Sequence, residues 1–327
     1  MNFIFVSPQF PRVYWNFCDR LKKKGVNVLG IGDTPYDQLA HEVRESLTEY
    51  YFVPSLADYD QMLRAVAFFT FKYGRIDWLE SNNEYWLASD ARLRTDFNIR
   101  TGWQSGDIDH IKNKSAMKPF YKKAGIPTAR LTKVTTFDAG EEFLAEVGYP
   151  VIVKPDTGVG ATDTYRIDNA DELRHFYASK PTVPYVMEEF VTGDICSYDA
   201  IVDADSNPIF ESMTVWPPSV MDIVLYQLDL SYYTTDRVPD ALQKAGRATL
   251  KAFHVHSRFV HLEFFRLTKA KPGLGEVNDF VGLEVNMRPA GGYTTDMMNF
   301  AHSTDVYEIW ADMITANRRL LPDRNEH

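Results

Sequence analysis

Residues 2–6 are a short apolar run that predicts a buried strand, 12–24 repeat with helical spacing up to Gly25, and 26–31 predict a second strand. Strand, helix and strand in that order imply a parallel sheet. Helical spacing returns over 58–73 before Gly74, residues 76–80 suit a short strand, and 84–97 are helical again. Residues 1–108 therefore read as one doubly wound α/β layer.

Turn formers displace periodic residues at Thr101-Gly102-Trp103-Gln104-Ser105-Gly106. After this break Asp109 is placed to cap a helix running to Lys123, which Ala124-Gly125-Ile126-Pro127 ends with glycine and proline in terminating positions. A helix over 137–147 precedes Gly148-Tyr149-Pro150, and the strand 151–153 hands Lys154 to a loop. Short strands are predicted at 164–167, 185–191 and 197–202, with 209–215 pairing with the last of these, and helices at 170–178 and 239–253. Residues 259–267 and 281–286 read as two central strands joined by a glycine-containing connector. The chain shows no internal repeat and no low-complexity segment, so mixed sheets in two lobes follow the first layer.

Composition narrows the function more than the fold. At 327 residues the chain is long enough for two or three subdomains around a cleft. The 35 Lys and Arg against 45 Asp and Glu leave a net charge of -10, which argues against a nucleic-acid partner. The apolar start lacks a basic leader and meets Pro8 too early for a signal core, and no later stretch has the length of a membrane span. Cys18 and Cys196 lie far apart without metal-ligand spacing, so a reducing cytoplasm is the expected location. Asn113-Lys114-Ser115 matches a glycosylation triplet, but such triplets arise by chance and nothing else points to secretion.

Three segments carry candidate chemistry. Strand side chains alternate faces, so His261 and Glu263 share one side of the first central strand, and Glu284, Asn286 and Arg288 share one side of the second. If those strands are neighbours, two carboxylates and a carboxamide converge, a donor set suited to magnesium, with Arg288 in reach of an anion. The plain alternative is a solvated strand face, which either strand alone would satisfy. In the second segment Lys154 leaves an apolar strand before Gly158 and Gly160, whose backbone amides can approach phosphate oxygens closely; it is neither a Walker loop nor a dinucleotide fingerprint. In the third, Glu188, Glu189, Phe190 and Val191 run into a turn at Gly193-Asp194, an edge that can meet an adenine rim, or an ordinary strand end.

Taken in order, residues 109–304 resemble the ATP-grasp superfamily. The resemblance implies an amino-terminal Rossmann-like pre-ATP-grasp domain over 1–108 and a two-lobed ATP-grasp domain over 109–327, with an ATP-binding lobe at about 109–190 and a metal-binding lobe at about 191–327. It also implies ATP and magnesium, with manganese as a substitute, as cofactors. Lys114, ahead of Ala124-Gly125-Ile126-Pro127, and Lys154 match the two phosphate lysines, and the loop bearing Gly158 and Gly160 looks like the phosphate lid. Glu188, Glu189, Phe190 and Val191 look like the adenine connector, while Glu263, Glu284 and Asn286 match the metal ligands and Arg288 the arginine that follows them. Two departures stand out. Ile195 occupies a position where many members carry a glutamate, leaving Asp194 as the candidate ribose ligand, and the lid is poor in glycine.

The resemblance implies phosphoryl transfer from ATP to a small carboxylate and attack of an amine on the acyl phosphate, with Arg288 and Lys154 as the catalytic residues. Arg288 would hold the acyl phosphate or the incoming carboxylate. Two alternatives remain: a carboxylase-like member that activates bicarbonate, and a nucleotide-binding regulator without turnover. Ser7-Pro8-Gln9-Phe10 and Pro289-Ala290-Gly291-Gly292-Tyr293 follow strands and either line the substrate side or form plain turns. Residues 216–233 either cover the pocket or belong to a subunit contact, which leaves a homo-oligomer open.

Overall fold

Strand β1 (Asn2–Val6) is followed by helix α1 (Trp15–Lys23), β2 (Asn27–Gly32), α2 (His41–Ser46), β3 (Glu49–Phe52), α3 (Tyr59–Tyr73), β4 (Trp78–Glu80) and α4 (Leu87–Asp96). The strands pair in the order β3-β2-β1-β4, all parallel, which is the doubly wound sheet the pattern predicts. Asp58 caps α3 by accepting from the amides of Asp60 and Gln61. Edge strand β3 was not anticipated: three of its four residues are half-buried and the fourth is exposed, so it lacks the alternation that marks a strand. The computed structural model describes residues 1–158, 163–217, 229 and 231–322.

The middle of the chain forms α5 (Asp109–Lys112), α6 (Lys114–Ala124), β5 (Leu131–Lys133), α7 (Phe137–Val147), β6 (Val151–Pro155), β7 (Tyr165–Ile167), α8 (Ala170–Ser179) and β8 (Tyr185–Glu189). Its strands make an antiparallel sheet, β5-β8-β6-β7, whose Val151, Val153 and Met187 pack with Leu144, Leu173 and Phe176 of the helices. Three expectations change here. The single helix foreseen over 109–123 is broken at Asn113, whose backbone is extended. The amide of Lys114 donates instead to the Asp156 carbonyl at 2.9 Å, and the amide and hydroxyl of Ser115 donate to the Asp156 carboxylate at 2.8 and 2.7 Å. The loop after β6 thus starts α6 from outside. Lys154 is the fourth residue of β6, not a loop residue, and β8 ends at Glu189, not at 191.

The third sheet contains β9 (Gly193–Val202), β10 (Pro208–Trp216), β11 (Tyr233–Thr235), β12 (Arg258–Leu267) and β13 (Phe280–Asn286), in the antiparallel order β11-β10-β9-β12-β13. Residues 209–215 do pair with the strand before them, as expected. Helix α9 (Asp240–Ala252) and α6 cover one face, where Tyr198, Leu262, Phe264 and Val285 are buried against Phe253 and Tyr121. Helix α9 lies so close to β9 that a Cβ at Gly246 would meet the Tyr198 ring at 2.4 Å.

The chain then returns to the first layer through α10 (Thr294–Ala301) and α11 (Val306–Ala316). Trp310 of α11 stands edge-on to Phe3 at 5.6 Å and to Phe17 at 5.0 Å, so α11 closes one face of the parallel sheet. The other face packs on α3 and α4 through Phe69, Val66 and Leu93.

Candidate functional site

Alternation on β12 and β13 sends Leu262, Phe264 and Val285 into the helical core and His261, Glu263, Glu284 and Asn286 to the opposite side. The strands are neighbours, and their register sets Glu263 directly across from Glu284 and His261 across from Asn286. All four line a cavity of about 490 Å3 between this sheet and the β5–β8 sheet, which supplies Lys154 and Glu188. The convergence that made the site conditional on strand pairing is therefore present in the fold.

Two facing carboxylates repel unless cations or a metal intervene. Lys114 Nζ lies 3.3 Å from Glu284 Oε1 and also donates to the Gly158 carbonyl at 3.2 Å. The His261 ring bridges two acids, with Nδ1 at 2.7 Å from Asp199 and Nε2 at 3.2 Å from Glu263. Burial alone would push this imidazole down, but Asp199 and then Glu263 hold it up at about 9, so it is a cation near neutrality. Burial opposes ionisation of Glu263, yet His261, with Arg288 and Lys114 behind it, keeps its carboxyl below the usual range. Asp199 is fixed in turn by the Ser197 hydroxyl. Trp216 stands edge-on to His261 at 5.2 Å and stacks on Tyr232 at 6.2 Å, and both Trp216 and Tyr232 line the cavity, while 218–228 and 230 lie outside the described residues.

Among the described residues no group of three or more acidic, histidine or cysteine side chains gathers as a metal cluster. Glu263, Glu284 and Asn286 instead offer two carboxylates and an amide oxygen on one wall, a hard-donor set of the kind that would suit a magnesium ion.

On the opposite wall Glu188 is held between two lysines, Lys154 at 2.6 Å and Lys118 at 2.7 Å. Burial would raise this carboxyl, but the two ammonium groups bring it down to about 2. Lys154 is correspondingly raised despite its burial, by Glu188 first. Lys118 was not singled out from the sequence, although it follows Lys114 at the four-residue spacing that puts both on one helix face. Asp156 and Asp199 were also missed, and only the tertiary fold reveals their work.

The other anticipated residues fall at the cavity's edge. Glu189, Phe190 and Val191 line it, but the Glu189 carboxylate is engaged with Arg130 at 2.9 Å and Lys271 at 3.0 Å, and the Phe190 carbonyl accepts from Lys271 at 2.6 Å. Asp194 is half-exposed and paired with Arg266 at 2.8 Å. Gly158 lines the cavity with φ 149, and Gly160 lies outside the described residues. Arg288 lines it too, donating to the Pro289 carbonyl at 2.9 Å and to Asn286 Oδ1 at 3.4 Å. Ala290, Gly291 and Gly292 share the lining, whereas residues 7–10 do not.

A parallel layer followed by two antiparallel sheets that clasp a lysine- and carboxylate-lined cavity is the ATP-grasp arrangement, and this chain has the ATP-grasp fold. Residues 112–188 match the family model described as the carbamoyl-phosphate synthase L chain, ATP binding domain. The sequence is 25% identical over 251 residues to an L-arginine-specific L-amino acid ligase of Bacillus subtilis, across 72% of this chain but 57% of that one, so the chain spans little more than half the length of that relative. The structure resembles the L-amino acid ligase of Bacillus licheniformis with a TM-score of 0.71, 15% identity and coverage of 96% of this chain and 74% of that one. It also resembles the biotin carboxylase domain of the Hydrogenobacter thermophilus 2-oxoglutarate carboxylase, solved with MgADP, ADP and bicarbonate, at a TM-score of 0.70, 16% identity and coverage of 97% and 70%.

Proposed function

We propose that this chain is an ATP-dependent carboxylate-amine ligase that activates a small acid, in the simplest case an amino acid, as an acyl phosphate. The observation that carries this reading is the pairing of Glu263 with Glu284 across β12 and β13, with Asn286 one pair along, facing Lys154 over a single cavity. Magnesium bound there would neutralise charge on the polyphosphate; manganese would serve in its place.

Lys114 and Lys154 would hold the phosphates, with Gly158 and Gly160 closing over them and Glu188 balancing Lys154. The adenine would lie against Glu188, Glu189, Phe190 and Val191, with the ribose at Asp194. A substrate carboxylate oxygen attacks the terminal phosphorus of ATP and ADP leaves. The amine nitrogen then attacks the acyl carbon, phosphate departs and the nitrogen loses a proton, giving an amide. Arg288, a planar fork that lines the cavity, would orient the carboxylate or the acyl phosphate between these steps. In this scheme residues 1–108 form the pre-ATP-grasp layer and 109–327 the two ATP-grasp lobes.

The partners are small molecules in a cytoplasmic setting, and among the described residues no helix is long and apolar enough to cross a membrane. The likeness to a biotin carboxylase domain makes bicarbonate activation the second reading. A matrix of carboxylates, bicarbonate and amines with magnesium and ATP separates them, read as ADP and phosphate with hydroxylamine trapping of the acyl phosphate. Lys154→Ala or Glu284→Ala should lower turnover roughly a hundredfold or more, since losing one such electrostatic contact typically costs about 2.7–4 kcal/mol of barrier. Near-normal rates in both variants would remove the assignment. ADP release only with bicarbonate would move it to the second reading, and no release with any acid would leave a nucleotide-binding regulator.

A further inference from the structure

His261 and Glu263 face the cavity from β12, and neighbouring β9 places Asp199 directly across from His261 and Ser197 directly across from Glu263. With β13 on the other side, two rows of polar side chains cross three strands. Ser197, Glu263 and Glu284 form one row, and Asp199, His261 and Asn286 form the other. Ser197 and Asp199 are 0% exposed and do not line the cavity, whereas the Glu263 side chain keeps 27% of its surface open. His261, 4% exposed, thus stands between a buried acid and a cavity acid.

Each cavity carboxylate has one oxygen tethered. Glu284 Oε1 lies 3.3 Å from Lys114, and Glu263 Oε1 lies 3.2 Å from His261 Nε2. Among the described residues, neither carboxylate makes another hydrogen bond or ion pair through its side chain. The two tethers differ in permanence. Lys114 is a long chain that also reaches the Gly158 carbonyl, and in the proposed scheme it turns to a phosphate. The imidazole is fixed, because Nδ1 is held by Asp199 at 2.7 Å, the other Asp199 oxygen accepts from the Ser197 hydroxyl, and Trp216 stands edge-on to the ring. A buried ion pair kept for stability alone is a weak device, since apolar residues of similar volume often serve as well or better. Here the second ring nitrogen is turned to the cavity acid.

We propose that His261, anchored by Asp199 and Ser197, is a positioning residue for Glu263, holding one carboxylate oxygen so that the other is left for the metal. This rests on the reading of Glu263 and Glu284 as a metal-binding wall. A free glutamate loses rotamer freedom when it binds a cation, and magnesium tolerates little departure from octahedral geometry. A carboxylate ordered in advance therefore binds it more tightly, and hydrogen-bond partners of ligating groups typically contribute about 10- to 100-fold in metal affinity.

Two amide substitutions separate positioning from stability. Asparagine places its amide near the imidazole Nδ1, within reach of Asp199 but short of Glu263, whereas glutamine places its amide near Nε2, within reach of Glu263. Manganese(II) is titrated into the full-length chain with a non-hydrolysable ATP analogue, and the free ion is read by electron paramagnetic resonance against the analogue alone. Thermal melts in metal-free buffer report stability. His261→Asn should melt near the wild type yet bind manganese roughly 10- to 100-fold more weakly. His261→Gln should melt lower, because Asp199 loses its partner, yet bind within about threefold of the wild type. A role in stability alone would rank the two variants the other way. Wild-type affinity in His261→Asn, or metal losses that follow the melting temperatures, overturns the positioning role and leaves the wall standing. If His261→Asn does not melt cooperatively, His261→Gln decides alone, and a loss of about tenfold overturns the proposal. A wild type that takes up no manganese beyond the blank overturns the wall and the positioning role together, while ADP release with acids judges the ligase reading separately.

Discussion

Glu188 shows how much one side chain can store in charge. Its carboxyl, ordinarily near 4.5, is brought to about 2 by Lys154 and Lys118 against the opposing effect of burial. A depressed acid contributes stability that is complete above its unfolded pKa and is lost as pH falls toward its folded one. The window here runs from about 4.5 down to about 2, and a shift of that size corresponds to on the order of 3 kcal/mol. Glu188→Gln should therefore melt well below the wild type at pH 7, and the gap between them should narrow steadily below pH 4.5. Thermal melts across that range test this, and a constant gap would contradict it. At this scale the sequence exposed the residues that alternate on strands: Lys154, Glu263, Glu284, Asn286 and Arg288 all reach one cavity. It did not expose Asp199, because an acid inside a buried strand becomes visible only once register sets it beside His261.

Among the elements, α6 has the least local origin. Its first residue carries the cavity lysine Lys114, and its start is fixed by Asp156, 41 positions after Ser115 in the chain. No pattern within 109–123 signals the break at Asn113, since the capping carboxylate arrives from the loop after β6. Asp156→Ala should cost about 1–2 kcal/mol, as loss of a helix cap does. It should also weaken nucleotide binding by loosening Lys114. Urea unfolding reads the first effect and nucleotide titration the second, and a variant that loses stability while binding nucleotide normally would separate the cap from the site. Elements with clean periodicity were legible to within a residue or two, as for α3, α7 and β12. Edge strands β3 and β5 and the two last helices were not, the strands because they are short and half-exposed, the helices because their packing partners lie in a different part of the chain.

For the molecule as a whole, the decisive contact joins its two ends. Trp310 is 1% exposed and inserts among Phe3, Phe5 and Phe17, so the parallel sheet borrows part of its core from α11. Trp310→Ala should cost about 3–5 kcal/mol, the range for emptying a large aromatic site. Because that cavity opens between first and last elements, the amides of β1 should gain hydrogen exchange along with those of α11. Exchange confined to α11 would show that the sheet stands without it.

The same clasp constrains how the protein is made. Synthesis runs from the amino end, so β1 through β4 leave the ribosome long before α11 exists to cover Phe3, Phe5 and Phe17. At ~5–20 residues per second the nascent sheet keeps an aromatic face uncovered for roughly ten to fifty seconds. That interval is when a chaperone has a surface to hold, and when neighbouring chains on one polysome are most exposed to sticking together.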